Sequence, residues 1–280
     1  MQAPFVSLKQ HRSFGDTLSL IIDYLRSAFR PLIQSLISIA GPFILAQVAI
    51  DIVFGSPFSF DTLTALEGEE GGVIASALVS ILASIAVYIA CYSFLTLSHS
   101  LGRYPSATEV RERSRSMIGP SIAAALGAVF VLFIGASVLI IPMIWLIVPV
   151  TLSFSVVFEE RTPFWTSLKR AMYLSKWRWW WTLGVSFLPN MIWSAVAALF
   201  AAVTIGILSL GTSIIPGVDE SGILYRLAAG ILNGIAQCVS YFGTVIATTS
   251  SMAAYYHHVE RLEATTLTER VIALTNEQQD

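Results

Sequence analysis

The chain has 280 residues, of which 55% are hydrophobic and only 12% charged. That charged share is about half of what soluble domains carry, so a soluble globular fold is excluded. The net charge of -2 says little by itself, because what matters is where the charges fall.

They are segregated. No Asp, Glu, Lys or Arg occurs from Met117 to Phe158, from Trp179 to Val218 or from Leu227 to Tyr256. Each run exceeds the ~20 apolar residues that cross a bilayer core as a helix, a conformation that satisfies its own backbone hydrogen bonds in lipid. The runs are continuous and lack period-two alternation, which argues against a barrel. The reading is therefore an all-α polytopic membrane bundle forming one membrane domain over residues 1–280. Its six spans fall near 31–54, 73–98, 119–139, 140–158, 183–210 and 227–254, and a short tail covers 257–280. The third and fourth spans come from one uncharged stretch, with Pro142 near its middle to favour a turn, as a full or a re-entrant hairpin. No cleavable signal segment is expected, since Asp16 and Asp23 interrupt the N-terminal region. Cys91 and Cys238 lie inside spans and read as packing residues.

Before the first span lie Lys9, Arg12, Arg26 and Arg30; between the second and third lie Arg103, Arg111, Arg113 and Arg115. Between the fourth and fifth lie Arg161, Lys169, Arg170, Lys176 and Arg178, and Arg261 and Arg270 follow the sixth. With six spans, all of these share one side, and of the 16 basic residues Arg226 alone falls opposite, beside the acidic loops of Asp61, Glu67, Glu69, Glu70, Asp219 and Glu220. The positive-inside rule then places both termini in the cytoplasm.

Short basic amphipathic segments precede the paired spans. Asp16 is placed to cap the first, whose Leu18, Ile21, Ile22, Leu25 and Phe29 share a helical face. Ser106 and Glu109 form a capping-box pattern for the second, Thr162–Pro163 opens the third, and Thr266–Glu269 begins a fourth. These segments read as interfacial helices on the cytoplasmic leaflet, or else as solvated connectors. Trp177, Trp179, Trp180 and Trp181 cluster where the fifth span leaves the interface, a depth indoles prefer. Anionic headgroups are the expected partners of Arg111, Arg113, Arg115, Lys169, Arg170, Lys176 and Arg178.

One segment carries a family likeness. Glu159–Glu160, the stretch Pro163–Leu168, then Arg170, Leu174 and Lys176–Trp179 form a glutamate-ended span followed by a basic helix. With Phe14–Leu18, Tyr104–Ser106, Tyr255–Tyr256 and Glu260–Glu263, the pattern resembles the membrane domain found N-terminal to some bacterial glycerophosphodiester phosphodiesterases and its six-span relatives. The resemblance covers nearly the whole chain and implies a six-span fold in a bacterial inner membrane. His257–His258 stands where that family usually has an aspartate–arginine pair, and the catalytic domain is absent, so hydrolase activity is not implied.

Within the spans, Gly234, Gln237, Tyr241, Thr244, Thr248, Ser251 and Tyr255 share one stripe of the sixth, and Gly230–Gly234 is a GxxxG step. Ser186, Asn190, Ser194, Ala197, Ala201 and Thr204 form a matching stripe in the fifth, and Ser76, Ser80 and Ser84 a third in the second. They read as close packing of spans five and six, with a polar or lipid-handling path along spans two, five and six as the alternative. Asp51 and Arg226 are expected to pair at the outer rim. His99, Glu159, Glu160, His257 and His258 gather at cytoplasmic span ends, as solvated interface groups or a metal site without a known ligand spacing. There is no nucleophile–base arrangement, nucleotide or cofactor motif, or nucleic-acid signature. The expected function is thus a non-catalytic membrane module that scaffolds or regulates a protein partner or a lipid process; the alternative is a small transporter or lipid-handling channel. An engineered cysteine beside Glu69 is expected to react with an impermeant thiol reagent from outside, and one beside Arg113 only after permeabilisation; the reverse pattern would invert the topology.

Overall fold

The computed structural model describes residues 6–8, 13–54, 70–138, 140–214 and 222–263, and the regular elements among them are all α-helices. In chain order they are α1 (Phe14–Phe54), α2 (Glu70–Leu101), α3 (Ala107–Val138), α4 (Ile140–Glu160), α5 (Phe164–Ser175), α6 (Trp179–Ile214) and α7 (Ile223–Glu263). All but α5 are long and apolar enough to cross a membrane, so the chain is a multi-pass helical membrane protein. The uncharged stretch between Met117 and Phe158 divides into α3 and α4, with Gly135 packed against Met143 and Leu146 at their joined ends.

The amphipathic segments depart from expectation in continuity. The first runs without a break into its span as the 41-residue α1, and the second opens the 32-residue α3. Pro31 and Pro120 stand at those two boundaries yet lie inside the helices, since a proline removes one backbone hydrogen bond and kinks a helix without having to end it. The third is a separate helix, α5, which buries Phe164, Leu168, Ala171 and Leu174 on one face. The fourth lies outside the described residues. Capping also shifts. Ser13, rather than Asp16, caps α1, its hydroxyl accepting from the Asp16 amide at 3.3 Å while donating to the Asp16 carboxylate at 2.6 Å. Ser106 and Glu109 close the expected box, the Ser106 amide donating to Glu109 at 2.7 Å. At α5 the N-cap is Pro163 without a side-chain bond, and the Thr162 hydroxyl instead meets that of Ser167 at 2.7 Å.

Two turns reverse the chain at the basic end with left-handed residues. Gly102 (φ 62°) ends α2 without a side-chain clash, whereas Arg161 (φ 53°) ends α4 in a conformation that disfavours a Cβ.

α7 is central, packing on α1, α2, α4 and α6. The apolar core is densest toward the basic end, where Tyr92 stacks on Phe158 at 4.8 Å and Tyr88 meets Phe154 edge-on at 5.3 Å. Toward the other end, Leu78, Phe133, Leu199 and Val203 are exposed, as helices facing lipid require.

The glycine step of α7 meets a different neighbour from the one expected. A Cβ on Gly230 would lie 2.5 Å from Ile52 Cγ1, and one on Gly234 would lie 2.5 Å from Val48 Cγ2. Both side chains belong to α1, so the step seats α1 rather than the fifth span. α6 does pack on α7, through another face: the Trp193 indole donates to the Val239 carbonyl at 2.8 Å and lies over Gly243. A ring needs more room than a small-residue seam provides, so Trp193 rotates the contact away from the glycine step. Gly234→Leu is therefore expected to lower the melting temperature in detergent by overpacking, about 1–3 kcal/mol. Val48→Ala should recover part of the loss in a Gly234→Ala background, and a change in α6 alone should not.

Candidate functional site

Near the end opposite the basic residues, polar side chains from three helices meet around one carboxylate. Gln47 and Asp51 are four residues apart on α1 and so share a face. The Gln47 Nε2 group donates to Asp51 Oδ1 at 3.0 Å, and the Ser76 hydroxyl of α2 donates to the same oxygen at 3.1 Å. Asn233 Nδ2 of α7 donates to Asp51 Oδ2 at 2.5 Å, and Gln47 Nε2 also approaches Ser76 Oγ at 2.5 Å. Asp51 is 0% exposed, Gln47 3% and Asn233 8%. Gln47 Oε1 is buried without a hydrogen-bond donor.

Helix register decides Asp51's partner. Because Ile52 faces Gly230 and Val48 faces Gly234, Asp51 falls opposite Asn233. Arg226 lies seven residues earlier on α7, about 10 Å farther out at 1.5 Å per residue. Its Nη1 donates instead to the Val53 carbonyl at 3.3 Å. Asp51 and Arg226 thus share an end of the bundle, with separate partners and no ion pair. Gln47 and Asn233 were not singled out in the sequence. The available signal was Asp51 itself, a charge within an apolar run with an amide one turn before it.

At the basic end a second constellation ties helix termini together. His99 Nδ1 lies 3.3 Å from Glu159 Oε1, and its ring stacks on Tyr256 at 4.5 Å. The Tyr255 hydroxyl donates to Glu160 at 2.9 Å, Arg170 Nε donates to the same oxygen at 3.1 Å, and Arg170 also pairs with Glu263. Burial works against the Arg170 charge, yet the carboxylates of Glu263 and Glu160 outweigh it and hold the guanidinium above its ordinary pKa. Arg111 reaches the Ser38 hydroxyl of α1 at 2.6 Å, and Arg113 the Phe158 carbonyl of α4 at 3.1 Å. His257 and His258 are fully buried against α6. The first stacks on Trp181 at 4.0 Å and the second meets the Thr182 hydroxyl at 2.7 Å through Nε2. Among the described residues, no three His, Cys, Asp or Glu side chains are grouped to hold a metal ion.

The seven basic residues expected to meet headgroups therefore divide. Arg111, Arg113 and Arg170 bond to the protein, while Arg115, Lys169, Lys176 and Arg178 are exposed and their side chains make no hydrogen bond or ion pair among the described residues. Lys176 sits over the Trp177 ring at 5.7 Å. The tryptophans divide too: Trp177 and Trp180 are each 79% exposed, Trp181 turns inward, and Trp179 donates to the Trp145 carbonyl at 3.0 Å.

Of the stripes, Ser186 is buried, Asn190 lies beside Gly243, and Ser194 is exposed with its hydroxyl returned to the Asn190 carbonyl. Gln237 is half-buried; the Tyr241 hydroxyl is buried without a hydrogen bond. Farther along α7, Ser251 meets Ser155 of α4 at 2.9 Å. The stripe thus faces α1 and α4 rather than α6. A separate apolar groove of about 240 Å³ opens between α1 and α6, lined by Leu18, Ile22, Leu25, Leu188 and Ile192, with Trp193 at its wall.

Arg170 is the shared counter-charge of two glutamates, so Arg170→Met is expected to destabilise the protein, and less so in a Glu160→Gln background. A double-mutant cycle should return a coupling on the order of 1 kcal/mol; additivity would mean that the pair is solvated. Comparisons with known protein families, characterised proteins and solved structures return no match.

Proposed function

We propose that this protein is a non-catalytic module of a bacterial inner membrane, with its basic end and both termini in the cytoplasm, that engages anionic lipid and organises a protein partner or a lipid process. The observation that carries the reading is the exposed stripe on α5 and the turn that follows it. Trp165, Lys169, Tyr173, Lys176 and Trp177 follow helical spacing and are exposed, while the opposite face of α5 is buried. Cations beside exposed indoles and a phenol fit the boundary between headgroups and acyl chains. The positive-inside distribution supports the orientation, and the likeness to phosphodiesterase-linked membrane domains supports the bacterial setting.

A chemical step on a phosphodiester needs a base or metal converging with groups that stabilise charge on phosphate oxygens. The glutamates at the basic end are instead bonded to Arg170, Tyr255 and His99, which supports a structural use. A small transporter is the second reading, favoured by the carboxylate at Asp51, because ionisable groups inside a membrane commonly mark transport paths.

The test is native purification with lipid mass spectrometry. Anionic phospholipids should be enriched, and the combined variant Lys169→Gln, Lys176→Gln, Arg178→Gln should retain several-fold less without a change in melting temperature. Arg111→Gln should instead lower the melting temperature. Release of product from glycerophosphodiesters with divalent metals, abolished by Glu159→Ala, would overturn the non-catalytic reading; ion or lipid flux in proteoliposomes would favour the second.

A further inference from the structure

We propose that Asp51, Gln47, Ser76 and Asn233 form a binding site for sodium ion inside the bundle. The inference goes beyond the lipid-engaging reading and does not depend on it. Its first support is charge. The Asp51 carboxylate is 0% exposed, and its bonding partners Gln47, Ser76 and Asn233 are all neutral. Arg226, the nearest cation by sequence register, is turned onto the Val53 carbonyl. A carboxylate withdrawn from water is strongly unfavourable unless a positive charge joins it.

The second support is hydrogen-bond direction. Three donors point at Asp51, two at Oδ1 and one at Oδ2. In this arrangement the carboxylate accepts from all three, as an ionised acid does, and turning an amide to present its oxygen frees a carboxylate lone pair for a cation. The compensating charge that fits is an added cation.

The third is ligand chemistry. The four side chains bring five oxygens: two from Asp51 and one each from Gln47, Ser76 and Asn233. Rotation of either amide exchanges oxygen for nitrogen with almost no change of shape. Gln47 Oε1 is the second, independent sign, a buried acceptor without a donor on a side chain only 3% exposed. Hard oxygens suit alkali and alkaline-earth ions, and a single formal charge among neutral oxygens suits a monovalent ion better than calcium, whose sites usually hold several carboxylates. Because the oxygens come from α1, α2 and α7, a bound ion would hold those three helices in register.

The test uses purified protein in detergent. Its melting temperature is followed in sodium chloride against choline chloride at equal ionic strength and pH, alongside equilibrium binding of radioactive sodium. Sodium is expected to raise the melting temperature by several degrees and to bind once per chain. Asp51→Asn should abolish both effects. Gln47→Ala, which keeps the charge and removes one oxygen, should weaken binding about tenfold and reports on the site even if Asp51→Asn fails to fold. Equal melting in the two salts, a sodium response that survives in Asp51→Asn, or stabilisation reproduced by acid without sodium would overturn the proposal, the last by making Asp51 a proton site. A purified protein without enriched anionic lipid but with the sodium response intact would sink only the lipid reading.

Discussion

A carboxylate inside an apolar bundle must find its hydrogen bonds within the protein, and Asp51 imposes that constraint on three helices at once. Its two oxygens are reached from α1, α2 and α7. None of those bonds survives a one-residue slip, because a helix turns ~100° per residue and carries a side chain off the shared face. The contact also requires α1 and α7 to approach closely, which the absent Cβ atoms at Gly230 and Gly234 permit. The GxxxG step and the polar cluster are thus one device: glycines set the distance and Asn233 sets the register. The opposite ends of α1 and α2 are fixed separately, where the Tyr24 and Ser98 hydroxyls meet at 2.7 Å.

The basic end uses charge differently. Arg111, Arg113 and Arg170 direct their donors to Ser38, the Phe158 carbonyl, Glu160 and Glu263, so that three of the seven residues that read as a lipid-facing basic cluster are internal stitching. Arginine suits this work because its planar fork reaches two acceptors at once. The lysines, compact charges on flexible stems, are left outside together with Arg115 and Arg178. Lys169 and Lys176 flank the exposed Tyr173 on α5, whose buried face presses Phe164 toward Gly127 of α3. The exposed, lysine-bearing face of α5 and its packing face are therefore borne by one helix of 12 residues, a little over three turns.

The spans were legible because uncharged runs leave few alternatives in a bilayer, and even the division of the Met117–Phe158 stretch falls where a two-span reading puts it. Helix existence follows from composition. Rotation about the helix axis does not, because lipid-facing and protein-facing apolar residues have the same chemistry. That is why the small-residue stripe of α7 could be found while its neighbour was misjudged: Gly234 faces Val48, and Trp193 claims the contact with α6 instead. The same limit hid Asn233, one position from the stripe, and assigned Asp51 to Arg226 on the strength of shared side alone. Continuity was missed for another reason. Amphipathic and fully apolar segments share one helical period, and Pro31, which stands where the span is expected to begin, is carried inside α1 without ending it.

The length of α6 has a mechanical consequence. Its 36 residues extend about 54 Å, against a hydrocarbon core of ~30 Å. The surplus is taken up by tilt or by projection beyond the core. α6 buries little of its surface and leans mainly on α7, so it is the span on which bilayer thickness acts most directly. A thinner membrane favours greater tilt, and the Trp193–Val239 contact is the fulcrum about which α6 would turn. Because α6 forms one wall of the groove against Leu18 and Ile22, membrane thickness and the width of that groove are geometrically linked.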